Sequence, residues 1–129
     1  MRGEVALVVR ADASAAVRTD TTAIALPQIV IDAGSAAAER FLEFFAAQLA
    51  NDQTREAYGR AAGQFLTWCE QRGLSLRALA PLHVAAYIRT HRGSVPTVKQ
   101  HLAAIRVLCD WLVVSQILPA NPAAAVRGP

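Results

Sequence analysis

The chain has 129 residues, of which 53% are hydrophobic, so it is long enough to form one domain with a hydrophobic core. No apolar run approaches the roughly 18 to 20 residues of a membrane-spanning helix, and the first ten residues lack the pattern of a signal peptide. Cys69 and Cys109 fall on the apolar faces of predicted helices, and the histidines are spread over different elements. These features predict a soluble, cytoplasmic protein with reduced thiols and without a membrane partner, metal site or cofactor.

The net charge is only +3, but the charges are unevenly distributed. Residues 1–34 carry three arginines and four acids, whereas residues 35–129 carry ten bases and six acids. Between Arg77 and Arg106 there are five bases and no acid. A basic second half favours an anionic partner.

The first 34 residues differ from the rest of the chain. Two segments, residues 5–9 and 23–31, are rich in Val and Ile, and Pro27 interrupts the second one. This pattern is typical of two short strands or of an extended arm, and we favour an arm that becomes ordered on a partner. Gly34 marks the predicted boundary.

Three helices are predicted next, each with apolar residues at steps of three and four. The first covers residues 35–50, with Phe41, Phe45 and Leu49 on one stripe. The second covers residues 51–72, beginning at a capping residue and ending before a glycine, and its apolar stripe contains Tyr58, Ala62, Phe65 and Cys69. The third begins near Pro81, which fits a first turn, and its inward-facing residues are Val84, Tyr87, Ile88 and His91.

The fourth helix, residues 94–115, is the longest. Ser94 can cap it, Pro96 fits its first turn, and a single apolar stripe runs along it: Val98, Leu102, Ile105, Cys109 and Leu112. A second stripe lies beside the first and contains Thr97, Gln100, His101 and Ala104, with Lys99 and Arg106 further round. Small, polar and basic residues let a helix approach a duplex and donate to base edges and phosphates. From this helix alone, the default alternative is the solvated face of a bundle helix.

The sequence contains no glycine-rich phosphate loop, metal-binding spacing or nucleophile elbow. Tyr58 and Tyr87 could be nucleophiles in principle, but both lie on apolar stripes without a neighbouring Arg and His cluster to activate them. We therefore expect that this chain alone is not an enzyme and takes no small-molecule substrate.

Five segments, in this order, resemble one known domain: N-D-Q-T-R-E-A-Y, F-L-T-W-C-E-Q-R-G-L, H-V-A-A-Y-I, T-V-K-Q-H-L-A-A-I-R and N-P-A-A-A-V-R-G-P. They are similar to the N-terminal core-binding (SAM-like) domain of tyrosine recombinases, the phage-integrase and Xer/Cre group. The resemblance covers residues 36–129.

This resemblance implies an all-α, four-helix SAM-like bundle with an N-terminal extended arm. Residues 1–34 would be the extension, residues 35–118 the core-binding domain, and residues 119–129 the start of a linker to an absent catalytic domain. In the family the bundle clamps one face of double-stranded DNA while the catalytic domain cuts it, and no position here matches the catalytic residues. The full-length protein would be a tyrosine recombinase that acts in DNA integration and recombination and self-associates on DNA.

The family places the second and fourth helices against the major groove. Carried over to this sequence, the DNA contacts are Thr54, Arg55, Arg60, Thr97, Gln100 and His101, with Lys99 and Arg106 as phosphate contacts. Ala80 departs from the family because it cannot cap the third helix, and Gly63 replaces a longer contacting side chain. Gly63 could instead allow close helix packing. The alternative function is a stand-alone helical protein-interaction module without DNA binding.

Overall fold

The structure, a computed structural model, describes the backbone of residues 27–47 and 52–129, the side chains of residues 27–44 and 56–129, and four short strands before them. From residue 27 onward the described chain is helical, so the predicted all-α fold is confirmed. The helices are α1 (Gln28–Asp32), α2 (Ser35–Ala47), α3 (Asp52–Gln71), α4 (Pro81–Thr90) and α5 (Val95–Val114), with a 3-10 turn at Leu76–Ala78. The strands form two antiparallel pairs, β1 (Arg10–Ala11) with β2 (Ala13–Ser14) and β3 (Val17–Thr19) with β4 (Thr22–Ile24).

Helix α1 differs from the sequence prediction, which assigned an arm or strands to this part of the chain. Ile29 and Val30 are buried in the core that α2 and α3 share. The helix has no side-chain cap of its own, and Glu70 of α3 accepts a hydrogen bond from the Ile29 N–H at 2.9 Å. This contact satisfies one of the N–H groups that have no partner within a helix. The core therefore begins before residue 35, where the prediction placed the start of the bundle.

Helix α5 is the central element and packs against α2, α3 and α4. It begins as predicted, because the Ser94 hydroxyl accepts a hydrogen bond from the Thr97 N–H at 3.3 Å and Pro96 lies in the first turn. Every residue of its predicted apolar stripe is buried. The helix buries eight of its 20 residues, more than one stripe, because it has neighbours on several sides.

Helix α4 starts at Pro81, and its cap differs from the family pattern in the way the sequence indicates. Ala80 offers no side-chain cap, but the ring of His83 accepts a hydrogen bond from the Ala80 N–H at 3.0 Å. His83 thus fills the role of the third helical residue in a capping box. Tyr87 is buried as predicted, whereas His91 is only half-buried.

Helices α3 and α5 end with the same backbone motif. Gly73 after α3 has a φ of 69°, and Gln116 after α5 has a φ of 65°. In both cases the next residue donates its N–H to a carbonyl five residues back, which is the Schellman arrangement. The left-handed conformation suits glycine but is strained for glutamine.

The segments that follow α3 and α5 lie close together. Arg77, in the 3-10 turn that follows α3, donates a hydrogen bond at 3.4 Å to the carbonyl of Ile117, which follows α5. Cys69 and Cys109 are buried in these second halves, and burial raises the pKa of each thiol to about 12. In the second half of α3, the rings of Phe65 and Trp68 lie against Tyr87 of α4.

Candidate nucleic-acid interface

The turn between α4 and α5 is held by side chains at both of its ends. The His91 ring accepts a hydrogen bond from the Gly93 N–H at 2.9 Å, and the Ser94 hydroxyl donates to the Thr97 hydroxyl at 2.9 Å. A Cβ on Gly93 would lie 2.8 Å from Cε1 of His91 and 3.0 Å from the Thr97 methyl carbon. The turn is therefore tight enough to require glycine, and it fixes where α5 begins.

His101 lies beneath this turn, inside the bundle, which does not agree with its predicted role as a DNA contact. Only 6% of its surface is exposed, its Nδ1 shares a hydrogen bond of 2.9 Å with the Tyr87 hydroxyl, and its ring lies 4.4 Å from that of His91. Burial lowers the pKa of His101, and the neighbouring His91 lowers it further. Ala104, assigned to the same stripe, is also buried. These two residues are buried because the buried face of α5 is wider than its apolar stripe.

Lys99 and Gln100 are exposed on α5, and Arg60 is exposed on α3. None of the three side chains makes a hydrogen bond or ion pair with another described residue. These side chains have free donors to offer to a ligand.

Three further arginines lie in or near the turn between α4 and α5 and were not named by the sequence prediction. Arg89 is in the last turn of α4, Arg92 is in the α4–α5 turn, and Arg127 lines a groove together with Arg89. All three are exposed. We call the set the basic end, and its members are Arg60, Arg89, Arg92, Lys99, Gln100 and Arg127.

A sequence signal existed for part of this set. Arg89 and Arg92 fall inside the acid-free segment that the charge count had already identified. Arg127 lies outside that segment, and only the fold brings it close to Arg89. On α3, the exposed side chains of Gln64, Thr67 and Gln71 follow Arg60 at steps of three and four, so they extend its face with uncharged polar groups.

Arg106 uses two of its five N–H donors within the chain. Its Nε donates to the Ala123 carbonyl at 3.2 Å, and its Nη2 donates to the Val126 carbonyl. These bonds give Arg106 a role within the chain that the sequence did not predict, and its phosphate contact stays a prediction. Local sequence could not show this, because the two acceptors lie 17 and 20 residues away.

The remaining predicted contacts have different positions. Thr97 is half-buried and belongs to the cap of α5. Thr54 and Arg55 fall in the first turn of α3, where the side chains lie outside the described residues. Gly63 has no atom within 4 Å of the position of an added Cβ, so close helix packing does not explain this glycine.

The described part of the chain has no group of three or more His, Cys, Asp or Glu residues that could hold a metal ion. None of its helices is both long enough and apolar enough to cross a membrane. The side chains of the basic end offer hydrogen-bond donors and positive charge, which suit an anionic surface.

Residues 38–116 match the family model described as phage integrase, N-terminal SAM-like domain. This match spans most of the chain, and the chain belongs to that family. The helical fold and the family agree with the SAM-like bundle expected from the sequence. No curated protein and no solved structure matches the chain significantly.

Proposed function

We propose that this chain binds double-stranded DNA as the core-binding part of a site-specific tyrosine recombinase or integrase. The observation that carries the proposal is the basic end, a set of exposed cations on α3, α4, α5 and the C-terminal segment, of which Arg89 and Arg127 line one groove. The acid-free segment means that no carboxylate from residues 71–109 opposes them. Membership of the integrase SAM-like family supports the choice of DNA as the anionic partner. In the full-length protein, a separate domain would supply catalysis, and copies would self-associate on DNA.

The side chains have different roles in this proposal. Lys99 and Arg60 contact phosphates, which carry charge but no sequence information. Gln100 reaches a base edge, where a bidentate amide contact discriminates between bases by about 1–3 kcal/mol. His101 and Arg106 support the interface from within the bundle rather than touching DNA.

The test is titration of the chain with short duplexes at several salt concentrations. Lys99→Ala should weaken binding to cognate and scrambled duplexes alike and reduce the slope of log K against log salt by about 0.9. Gln100→Ala should weaken binding to the cognate duplex more and leave the slope nearly unchanged, because it removes no charge.

Arg40→Ala is the matched control for charge. Arg40 is paired with Glu43 on α2, and its carbonyl accepts a hydrogen bond from Trp111 near the end of α5, far from the basic end. This variant loses the same charge as Lys99→Ala but should leave the slope almost unaltered. Equal slopes for the two variants, or unaltered affinity for both Lys99→Ala and Gln100→Ala, would contradict the proposal.

A second test concerns catalysis. Supercoiled plasmid incubated with the pure chain should remain uncut, because no residue here matches the family's catalytic set. Nicking, or a covalent adduct between protein and DNA, would show that the chain carries its own catalytic residues.

A second candidate function is a protein-interaction module. Leu82 and Val95 are 68% and 53% exposed, and both line a groove of about 850 Å³ between α4, α5 and the C-terminal segment. Exposed apolar side chains that flank one groove favour a protein partner. Absence of DNA binding at low salt, together with loss of a protein partner on Leu82→Ser, would favour this function.

A further inference from the structure

We propose that Arg106 and Asn121 form a latch that holds the C-terminal segment, residues 121–129, back along α5, and that this latch places Arg127 where it contacts a DNA phosphate. The contact with DNA rests on the proposed function, whereas the latch itself does not. The sequence had assigned these residues to the start of a linker, so a fixed position for them was not expected.

The latch consists of hydrogen bonds in both directions between α5 and the segment. Arg106 donates to the carbonyls of Ala123 and Val126, so one planar side chain holds two turns of the segment. In return, the Asn121 amide donates to the Arg106 carbonyl at 3.1 Å and to the Asp110 carboxylate at 2.6 Å. The Asn121 side-chain oxygen also accepts the Ala123 N–H at 2.8 Å, which folds the segment into a turn.

Apolar contacts support these hydrogen bonds. Ala123 is fully buried, Val126 is 9% exposed, and both belong to the core of the bundle. A Cβ on Gly128 would lie 3.2 Å from a methyl carbon of Leu102, so the segment also lies close to α5 near its end. A segment with buried side chains and satisfied carbonyls is part of the domain rather than a free linker.

The course of the segment determines where Arg127 lies. Asn121 contacts α5 at Arg106 and Asp110, whereas Gly128 lies at Leu102, so the segment runs antiparallel to the helix towards its N-terminus. There Arg127 lines the same groove as Arg89 of the basic end and Gly93 of the α4–α5 turn. Arg127 is exposed and makes no hydrogen bond or ion pair with another described residue, so its guanidinium is free for a phosphate.

The decisive variant is Asn121→Ala, because it opens the latch without changing the charge of the chain. Hydrogen exchange measured on the peptide that covers residues 121–129 should become faster in Asn121→Ala and in Arg106→Ala, because the carbonyl and amide partners are lost. It should stay unchanged in Lys99→Ala and in Arg127→Ala, whose side chains take no part in the latch. Unchanged exchange in both Asn121→Ala and Arg106→Ala would overturn the latch, whatever the DNA result.

Salt-dependent titration with a short duplex of mixed sequence then tests the role of Arg127. Arg127→Ala should reduce the salt slope by about 0.9, and Asn121→Ala should reduce it by a similar amount although no charge is removed. The salt slope of the double variant Asn121→Ala with Arg127→Ala should fall no further than that of either single variant, because both changes remove the same contact. The double variant Lys99→Ala with Arg127→Ala is the additive control, and its salt slope should fall by about 1.8.

The outcomes separate the two proposals. Faster exchange in Asn121→Ala with an unaltered salt slope would overturn the phosphate contact of Arg127 and leave the latch intact. If the decreases in salt slope for Arg106→Ala and Arg127→Ala add up in the double variant, Arg106 contacts DNA directly. This result would overturn the proposal that Arg106 acts only by positioning Arg127. If the unmodified chain fails to bind the duplex, the proposed function fails, and the exchange measurement still decides whether the latch exists.

Discussion

Phe65 lies at the centre of an aromatic cluster that joins α3 to α4. It is fully buried, its ring lies 5.1 Å from that of Tyr87 in an edge arrangement, and it lies 6.3 Å from the ring of Trp68. Phe65→Ala removes the buried ring and leaves a cavity, so the free energy of unfolding should fall by about 3–5 kcal/mol. The lost aromatic contact with Tyr87 accounts for about 0.5–1.5 kcal/mol of this fall. Since a domain is stable by about 5–15 kcal/mol in total, the variant should still fold but unfold at much lower denaturant.

The measurement is urea unfolding followed by circular dichroism and by the fluorescence of the tryptophans, which report on different parts of the bundle. Phe65→Leu is the matched control, because it keeps most of the buried volume and should cost less than about 1.5 kcal/mol. A loss below about 1 kcal/mol for Phe65→Ala would refute the reasoning, because it would mean that the ring is not packed in the core. Equal losses for the alanine and leucine variants would also refute it, since the cavity would then not be the cause.

Three other predictions concern the titration of His101 and the backbone at Gly63 and Gln116. Burial lowers the pKa of His101 in the folded chain, so below pH about 6.5 the unfolded chain binds a proton that the folded chain does not. The free energy of unfolding should therefore fall as the pH decreases through this range. Urea unfolding at stepped pH should show this slope in the wild type and a weaker one in His101→Gln. Gly63→Ala should raise the free energy of unfolding by about 0.5–1 kcal/mol, since space is open around the position, and destabilisation would mean that the helix is crowded there. Gln116→Gly should stabilise the chain by about 1 kcal/mol in the same assay because it relieves the left-handed conformation, whereas no gain would indicate that the glutamine is unstrained.

Local sequence determines the long helices well. The Ser94 cap, Pro96 in the first turn and the glycine after α3 are short-range signals, and each one lies where it was predicted. The apolar stripe of α5 is likewise buried as predicted, and so is that of α3 apart from Tyr58, which is only partly buried. Period and capping residues act over one or two turns, so a single sequence contains enough information to locate such elements.

Features that depend on distant partners could not be predicted in this way. The β-branched residues before Gly34 favour an extended chain locally, yet α1 forms because Glu70, 41 residues away from Ile29, accepts its N–H and the core accepts its apolar side chains. His101 is polar and was placed on the surface, but Tyr87 supplies a buried hydrogen bond. In both cases a tertiary contact outweighs the structural preference of the local sequence.

The candidate site shows the same division. The acid-free charge run indicated a basic surface, and Lys99 and Gln100 are exposed as the periodicity of α5 predicts. Arg106 holds the C-terminal segment because the chain folds back along α5 after residue 120. The proline and alanine residues of that segment do not predict this course. Arg127 could be recognised only after that return was known.

The reactivity of the two buried cysteines can report how often the helical bundle opens. A thiol reacts with alkylating reagents as the thiolate, and a pKa of about 12 leaves almost none of it at neutral pH while Cys69 and Cys109 are enclosed. Labelling by iodoacetamide should therefore proceed only through molecules in which α3 and α5 have separated, and its rate should measure how often they separate. A fluorescent or spin label can accordingly be attached to a cysteine introduced at an exposed position without first removing the native ones.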